Sequence, residues 1–520
     1  MSRGIEKHLL FVGVAVALAP VLVLRDFTPA NELRYLSIAD EALAGHTFFA
    51  FTNHGVPYAD KPPLYLWIVM LCRWLTGAHR MWLLALFSLL PALGIVRTMD
   101  RWVEQEMDSR SRVLAQWLLL SCGLFIGAAV TLRMDMLMCF FIVLALHAFW
   151  RILDGGACQD RYRWLFPLYL FLAVFTKGPL GLLVPLCSTA VFLCASRRMG
   201  AFVLCWGMRT WGMLLACCAM WFGAVYAEGG AAYLHNMLVQ QTFGRAVHSF
   251  HHARPLYYYA VHIWYSLAPW SLLIVGVLAA VLRRRLLRSD LQNFFLTVGA
   301  TTLALLSFIS SKLQIYMLPA VPFLVYASAM FLHRVRGGCW LRLSLAVPSV
   351  LFTLLLPALI VLRITGDAPY LHEGAVYAAS AVLAVGGAYS LFLLYGRHQA
   401  ACVDTVVRRL ASALLCALFV GALGLPGINA YTGYGALCRE ANELSGRLGI
   451  HDFRSWQLPR PANMDVYLHA PVTAIDKDSL PSSAGRPYLL LTRKRCLNQF
   501  QEAESHPIGS YAVVVMQGEP

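Results

Sequence analysis

Five short stretches combine residues that can move protons with residues that can hold an anion. Asn31-Glu32 is followed by Arg34 and Tyr35, Tyr58 by Asp60 and Lys61, Arg133 by Asp135, and Lys312 by Tyr316, with Lys177 in Thr176-Lys177-Gly178 as a further cation. Glu32 and Asp135 are of the type that serves as a general base. Lys and Arg, with phenols such as Tyr58 and Tyr316 beside them, suit a phosphate whose charge grows during a reaction. The densest stretch is 25–63, where acid, base and phenol crowd between apolar segments. Ionisable groups placed so in a greasy chain mark a functional site by default, here the rim of one at the membrane surface.

The elements that must position them are membrane helices. Of 520 residues, 59% are hydrophobic and only 13% charged, with mean hydropathy +0.61. About 25% charge is usual in soluble domains, so the class is an all-α polytopic membrane protein. The net charge of +15 comes from basic residues bunched between apolar segments, such as Arg197-Arg198, Arg283-Arg284-Arg285 and Arg408-Arg409. These read as cytoplasmic anchors, and nucleic-acid binding is not expected. Most of the 14 cysteines lie inside apolar segments and read as small hydrophobes, with no CxxC metal pattern; Cys438 and Cys496 in the polar tail leave room for one disulfide. The apolar stretch 5–24 has no cleavage site after it and reads as a retained first span.

At about 20 apolar residues per span, candidates fall near 8–24, 62–76, 81–97, 113–130, 134–150, 163–176, 179–195, 207–227, 258–282, 291–309, 313–333, 341–363, 372–395 and 407–425. Alternation of the basic loops, with the N-terminus and 97–112 inside, requires one of 62–76 and 81–97 not to cross. The first is shorter, opens on Pro62-Pro63 and is rich in Trp and Tyr, so it is expected to lie along the interface. About thirteen spans result, in a plasma (inner) membrane, with the N-terminus cytoplasmic and the C-terminus outside. Glu32, Arg34, Lys61, Asp135, Lys177, Arg245 and Lys312 then share the outer face. Cations there defy the usual bias, and a phosphate in the outer leaflet is the simplest partner.

Two domains are expected, a membrane domain over 1–426 and a small extracytoplasmic α/β domain over 427–520. The first has outer loops at 25–80 and 228–257. In the second, Leu437, Ala441, Leu444 and Leu448 place a helix over 434–448, and apolar runs at 465–468, 487–492 and 511–516 read as strands. No internal repeat stands out.

The order Pro-x-Asn-Glu-x-Arg-Tyr, Tyr-x-Asp-Lys-Pro-Pro, x-Asp-Met, Thr-Lys-Gly and Lys-Leu-x-x-Tyr-x-Leu-Pro, over about residues 25–320, resembles the bacterial aminoarabinose lipid A transferases. It is similar more distantly to the protein O-mannosyltransferases. The resemblance implies the GT-C fold, with the site on the outer face, and transfer of a sugar from a polyprenyl-phosphate donor with inversion. By motif position it implies that Lys61 holds the donor phosphate, that Arg245 assists, that Tyr58 and Tyr316 line the site, and that Asp135 is a carboxylate of the active site. The acceptor is left open among a lipid, a glycan and a protein hydroxyl.

This chain departs from the pattern at Asn31, where the family has Asp. An amide is not a general base, so either Glu32 or Asp135 takes that role, or the acceptor is already anionic, or the protein is an inactive relative. The family can also hold a divalent ion near the acid matching Asp60, helped by a histidine in the later loop. Here Thr242 stands near that histidine's place and His248, His251 and His252 follow it, with spacing that suits hydrogen bonds better than ligation; no metal ligand is assigned, and a divalent ion near Asp60 stays as the alternative.

Each residue also has a structural reading. Lys61 alone would be a snorkelling anchor, Asp135 a helix cap, Glu32 and Arg34 members of a surface pair, and Lys177-Gly178-Pro179 the break between two spans. Lys312 and Tyr316, four apart, are expected on one helix face. A transporter of lipid-linked sugars is the rival from another class; inverted repeats and charges at the bilayer midplane would mark it.

Overall fold

The computed structural model describes residues 3–156, 159–239, 254–335, 339–366, 368–395, 403–476 and 486–517, with side chains from Leu9 onward. Helix α1 (Arg3–Leu24) leads into α2 (Glu32–Gly45), a hairpin of β1 (Thr52–Asn53) and β2 (Val56–Pro57), and α3 (Leu64–Thr76). Next come α4 (Met81–Trp102), α5 (Ser109–Leu120) and α6 (Gly123–Val130), the last two bent by 64°. Then follow α7 (Asp135–Asp154), α8 (Gln159–Lys177), α9 (Leu180–Ala195), α10 (Gly200–Trp206) and α11 (Met208–His235). Helices α12 (Tyr258–Ser266) and α13 (Ser271–Arg284) meet at 120°. Helix α14 (Asp290–Phe308), a 3-10 helix Gln314–Ala320, α15 (Val321–Leu332), α16 (Cys339–Thr365), α17 (Gly374–Tyr395), α18 (Val403–Ala422) and α19 (Leu425–Thr432) complete the bundle.

The protein is a multi-pass membrane protein. Among the described residues, eight helices are long and apolar enough to cross a membrane, and ten if each bent pair is one span. The expected thirteen exceeds this because α9 has 16 residues, α1 is described with side chains only from Leu9, and α8 opens on Asp160, Arg161 and Arg163. Helix α3 has 13 residues, about 20 Å at 1.5 Å per residue, against a hydrocarbon core of about 30 Å. It buries Tyr65, Leu66, Val69 and Met70 on one side and exposes Leu71, Trp74 and Leu75 on the other, as an interfacial helix does.

The bundle core is apolar and rich in rings. Phe149 of α7 stacks on Phe294 of α14 at 5.5 Å, and Phe192 of α9 meets the same ring edge-on at 4.9 Å. Helices α8 and α9 approach until a Cβ on Gly181 would lie 2.4 Å from the Ala173 carbonyl carbon. Only glycine allows that contact. Ser289 starts α14 with a capping box: its hydroxyl accepts from Gln292 N and the Gln292 side chain accepts from Ser289 N.

After α20 (Gly435–Leu448) the chain forms a five-stranded sheet. Its strands are β3 (Phe453–Ser455), β4 (Val472–Ala474), β5 (Tyr488–Arg493), β6 (Ser505–Ile508) and β7 (Tyr511–Met516), in the order β4-β3-β5-β7-β6. The pairs β3–β4 and β3–β5 are parallel, β5–β7 and β6–β7 antiparallel. Both faces are covered. Leu489, Leu491, Val513 and Val515 pack with α20, while Leu490, Val514 and Met516 pack with Trp456 and Phe500.

Two expectations need correction. Residues 465–468 form not a strand but a helical turn, α21 (Asp465–Leu468), with Val466 and Leu468 buried. Cys438 and Cys496 are free, and lie in apolar clusters on opposite faces of the sheet, so no disulfide joins them. The expected second outer loop, from 228, starts beside a kink at the non-helical Gly230, beyond which helical residues continue to His235.

Candidate functional site

Glu32 opens α2 and its side chain is fully buried. Arg25 grips it with both terminal nitrogens, each at 2.7 Å, and the backbone N–H groups of Thr28 (2.8 Å) and Leu132 (2.9 Å) donate to it as well. Four donors occupy the carboxylate. It therefore ties α2 to the 131–134 segment, and this bonding argues against the expected role of general base. Asn31 precedes it as the N-cap residue without a side-chain cap bond.

Asp135 opens α7 and is 2% exposed. Arg133 Nε donates to one of its oxygens at 3.2 Å, and Lys177 Nζ donates to the other. Lys177 is the last residue of α8, and Gly178 ends that helix at φ +109, a conformation that side chains rarely adopt. The break that the sequence marks is what turns Lys177 towards Asp135. The Lys177 ammonium also sits 4.3 Å from the centroid of the Tyr316 ring. Lys61 and Arg133 are the other cations within electrostatic reach of Lys177.

Lys61 pairs with its neighbour Asp60 at 3.3 Å, both largely buried, at the turn before α3. Arg34 lies over the Tyr58 ring at 5.3 Å and near the Tyr35 ring at 5.7 Å. Tyr35 is buried edge-on against Tyr65, and burial pushes its phenol up, so it stays a proton donor at neutral pH. Arg34, Arg133, Asp135 and Asp60 all act electrostatically on that phenol. One residue of α2 thus stands within reach of three of the motifs.

Tyr316 lies in the 3-10 helix, and Lys312 precedes that helix, so the two do not share one helix face. Pro319 within the 3-10 helix and Pro322 at the start of α15 delay the regular helix, since proline suits only a first turn. Lys312 is 4% exposed, and its ammonium donates to the carbonyls of Ile309 (2.7 Å) and Arg254 (3.1 Å). It fastens the turn instead of facing the cluster. Arg245, Thr242, His248, His251 and His252 lie outside the described residues.

Among the described residues no three His, Cys, Asp or Glu side chains are arranged to hold a metal ion. Asp60 is engaged with Lys61.

Several contributors gave no motif. Glu228 of α11 accepts from the backbone N–H groups of Phe48, Phe49 and Ala50, and Tyr233 OH donates to the carbonyls of Phe51 and Tyr58. Together they hold the hairpin that carries Tyr58. Three joints bind the C-terminal segment to the first loop. Asp26 accepts from Gly435 N and Tyr467 OH, Ser37 donates to Asp465 at 2.8 Å beside His54, and Arg460 donates to the carbonyl of Ala30. Loop charges such as Asp26 were visible in the sequence; their partners, more than 400 residues away, were not.

No family model matches the chain. It is 24% identical over 357 residues to the undecaprenyl phosphate-alpha-4-amino-4-deoxy-L-arabinose arabinosyl transferase of Shewanella sediminis, covering 67% of this chain and 64% of that one. It is 22% identical over 340 residues to a transferase of the same name from Pseudomonas fluorescens, over 64% and 58% of the two chains. The chain thus spans less than two thirds of either relative's length. Among solved structures, ArnT from Cupriavidus metallidurans bound to undecaprenyl phosphate superposes with a TM-score of 0.77 at 16% identity, over the whole of both chains. Its apo state gives 0.76 at 18% identity. The fold is therefore that of ArnT, the multi-spanning architecture expected from the ordered motifs.

Proposed function

We propose that this protein is a membrane glycosyltransferase that takes a sugar from a polyprenyl-phosphate donor and transfers it to a lipid acceptor of the lipid A type on the extracytoplasmic face of the inner membrane. The observation that carries the reading is the cluster itself: Lys61–Asp60 and Lys177–Asp135–Arg133 meet around Tyr316 and Tyr35 in the fold of a protein crystallised with undecaprenyl phosphate.

Breaking the bond between the anomeric carbon and the phosphate oxygen leaves the electron pair on the departing polyprenyl phosphate. Lys61 lies at the mouth of the interfacial helix α3, where a lipid phosphate in the outer leaflet reaches it. Lys177 is held by Asp135 and the Tyr316 ring, so its charge is already oriented before the leaving group develops its own. A cation 4 Å from that charge contributes on the order of 4 kcal/mol at an effective dielectric near 20. Glu32 is occupied by four donors and Asp135 by two cations, while Asn31 is an amide. An acceptor that arrives ionised suits such a site, because no proton has to leave it.

The test is reconstitution of the full chain in nanodiscs with undecaprenyl phosphate carrying radiolabelled 4-amino-4-deoxy-L-arabinose, the sugar named for the relatives, and lipid A as acceptor. Label appearing on lipid A together with free undecaprenyl phosphate is expected. Movement of intact donor between leaflets without cleavage would overturn the reading in favour of a transporter.

A further inference from the structure

Two arginines meet at the start of α2 from opposite ends of the chain. Arg34 has its Nε buried without a hydrogen-bond partner among the described residues, and no described carboxylate pairs with it. Its guanidinium is held in place by the Tyr58 and Tyr35 rings, so its orientation is set while its hydrogen-bonding capacity is not used up. A buried donor in that state is costly unless a ligand completes it. Arg460 comes from the C-terminal segment, 430 residues along the chain from Ala30, whose carbonyl it touches, next to Asn31. It stands at φ 51, a left-handed conformation uncommon for a residue with a side chain, just ahead of Pro461. No described carboxylate forms an ion pair with it either; Arg34 is the cation that acts on it, with Tyr58, Tyr35 and Asp60 the other groups in electrostatic reach. Asp60 is paired with Lys61, so two like charges brought together here make a site for an anion.

We propose that Arg460, delivered by the C-terminal segment, joins Arg34 to bind an anionic group of the acceptor, a phosphate monoester, and so determines acceptor specificity. The inference rests on the transfer reading above and adds the residues that recognise the acceptor. It also accounts for Asn31. A phosphate monoester dianion forms a bond from its oxygen to the anomeric carbon and becomes a diester monoanion. The donor, a diester monoanion, releases polyprenyl phosphate as a dianion. Charge balances with no proton moved, so an amide at position 31 is no handicap.

The test separates charge from tethering. Arg460→Gln keeps a donor for the Ala30 carbonyl and removes the charge; Arg460→Lys keeps both. Binding of lipid A and of phosphatase-treated lipid A to the full-length protein in nanodiscs of neutral lipid is measured without donor, so the readout needs no turnover. Wild type is expected to prefer the phosphorylated lipid. Arg460→Gln should weaken its binding about tenfold, as expected for one charged hydrogen-bonding partner, and raise the acceptor KM alike. Arg460→Lys should retain most of the affinity, and undecaprenyl phosphate binding should be unchanged in both variants. Equal binding of the two lipids by wild type, or unaltered binding by Arg460→Gln, would overturn the proposal. So would parallel losses for donor and acceptor in both variants, which would make Arg460 a tether only. Phosphate-dependent binding without any transfer would sink the transferase reading and leave this site standing.

Discussion

Replacing Glu32 by Gln distinguishes a structural tie from a catalytic base. The substitution keeps the shape and removes the charge from a fully buried carboxylate facing Arg25, whose side chain is 18% exposed. Gln offers one acceptor oxygen where two now serve four donors, so its amide nitrogen confronts one Arg25 nitrogen together with the N–H of Thr28 or of Leu132. Breaking one side of a buried ion pair costs about 3–5 kcal/mol. The partial exposure of Arg25 puts the expected loss near the lower end, about 3 kcal/mol by the same range. Thermal unfolding of detergent-solubilised protein should show it as a clear drop in midpoint, since about 1 kcal/mol moves domains of 150–250 residues by roughly 2–4 °C. Adding Arg25→Met should restore part of the loss, because the stranded charge is then gone. Turnover should fall in proportion to the displaced 131–134 segment and recover partly in the double variant. An unaltered midpoint with turnover down by about 10²–10⁴, the range of a lost general base, would refute this account of Glu32.

Other outcomes follow from the same geometry. Lys61→Ala should weaken undecaprenyl phosphate binding by about 10- to 100-fold, the worth of a charged hydrogen bond, and the unfolding midpoint should fall as well because the largely buried Asp60 loses its ammonium; equal binding in a direct titration would remove Lys61 from the phosphate site. Gly178→Ala meets no atom within 4 Å, so its cost is backbone strain at φ +109, about 1–3 kcal/mol. Turnover should fall along with the unfolding midpoint because Lys177 is the next residue, and full activity would uncouple the two. Burial raises the Asp465 carboxyl above its ordinary value of 3.8, outweighing the Ser37 hydrogen bond and the nearby His54, with Asp40 adding to the rise. A raised value means that the folded protein favours the neutral acid, so this contribution to stability is present below 3.8 and is lost as pH climbs through the folded value. Asp465→Asn should therefore gain stability relative to wild type as pH rises from about 4, and a midpoint difference independent of pH would contradict it.

The bundle was legible because lipid enforces a simple code. A crossing helix needs a long apolar run, and breaks at Pro62-Pro63 and Gly178-Pro179 stand out against it, whereas the 120° bend at 267–270 falls inside the single span read over 258–282. Lys61, Asp135, Lys177 and Tyr316 were legible as an ordered set, and the fold brings Asp135, Lys177 and Tyr316 into contact with Lys61 nearby. The partners of Glu32, Arg25 and two backbone amides, were not legible because they depend on how α2 enters the bundle, which spacing does not encode. Those of Lys312 were hidden for the converse reason: the carbonyls that hold it leave no trace in composition. The short apolar run 465–468 reads as a strand yet forms a turn of helix, too short for periodicity to separate the two. Arg460 gave no signal, since its place is set by a left-handed backbone and a sheet built far down the chain.

The joints between the first loop and the C-terminal segment span 428, 430 and 441 residues of chain. At a synthesis rate of about 5–20 residues per second, roughly 20–90 s separate the emergence of α2 from that of Arg460. During that interval Asp26, Ser37 and the Ala30 carbonyl wait without their partners. The first loop of a nascent chain therefore enters the membrane well before Arg460 is made. A chain that ends after the last span but before residue 460 carries α2 and its hairpin without the contact that Arg460 makes to the Ala30 carbonyl, so the first loop depends for its final shape on the last segment to be synthesised.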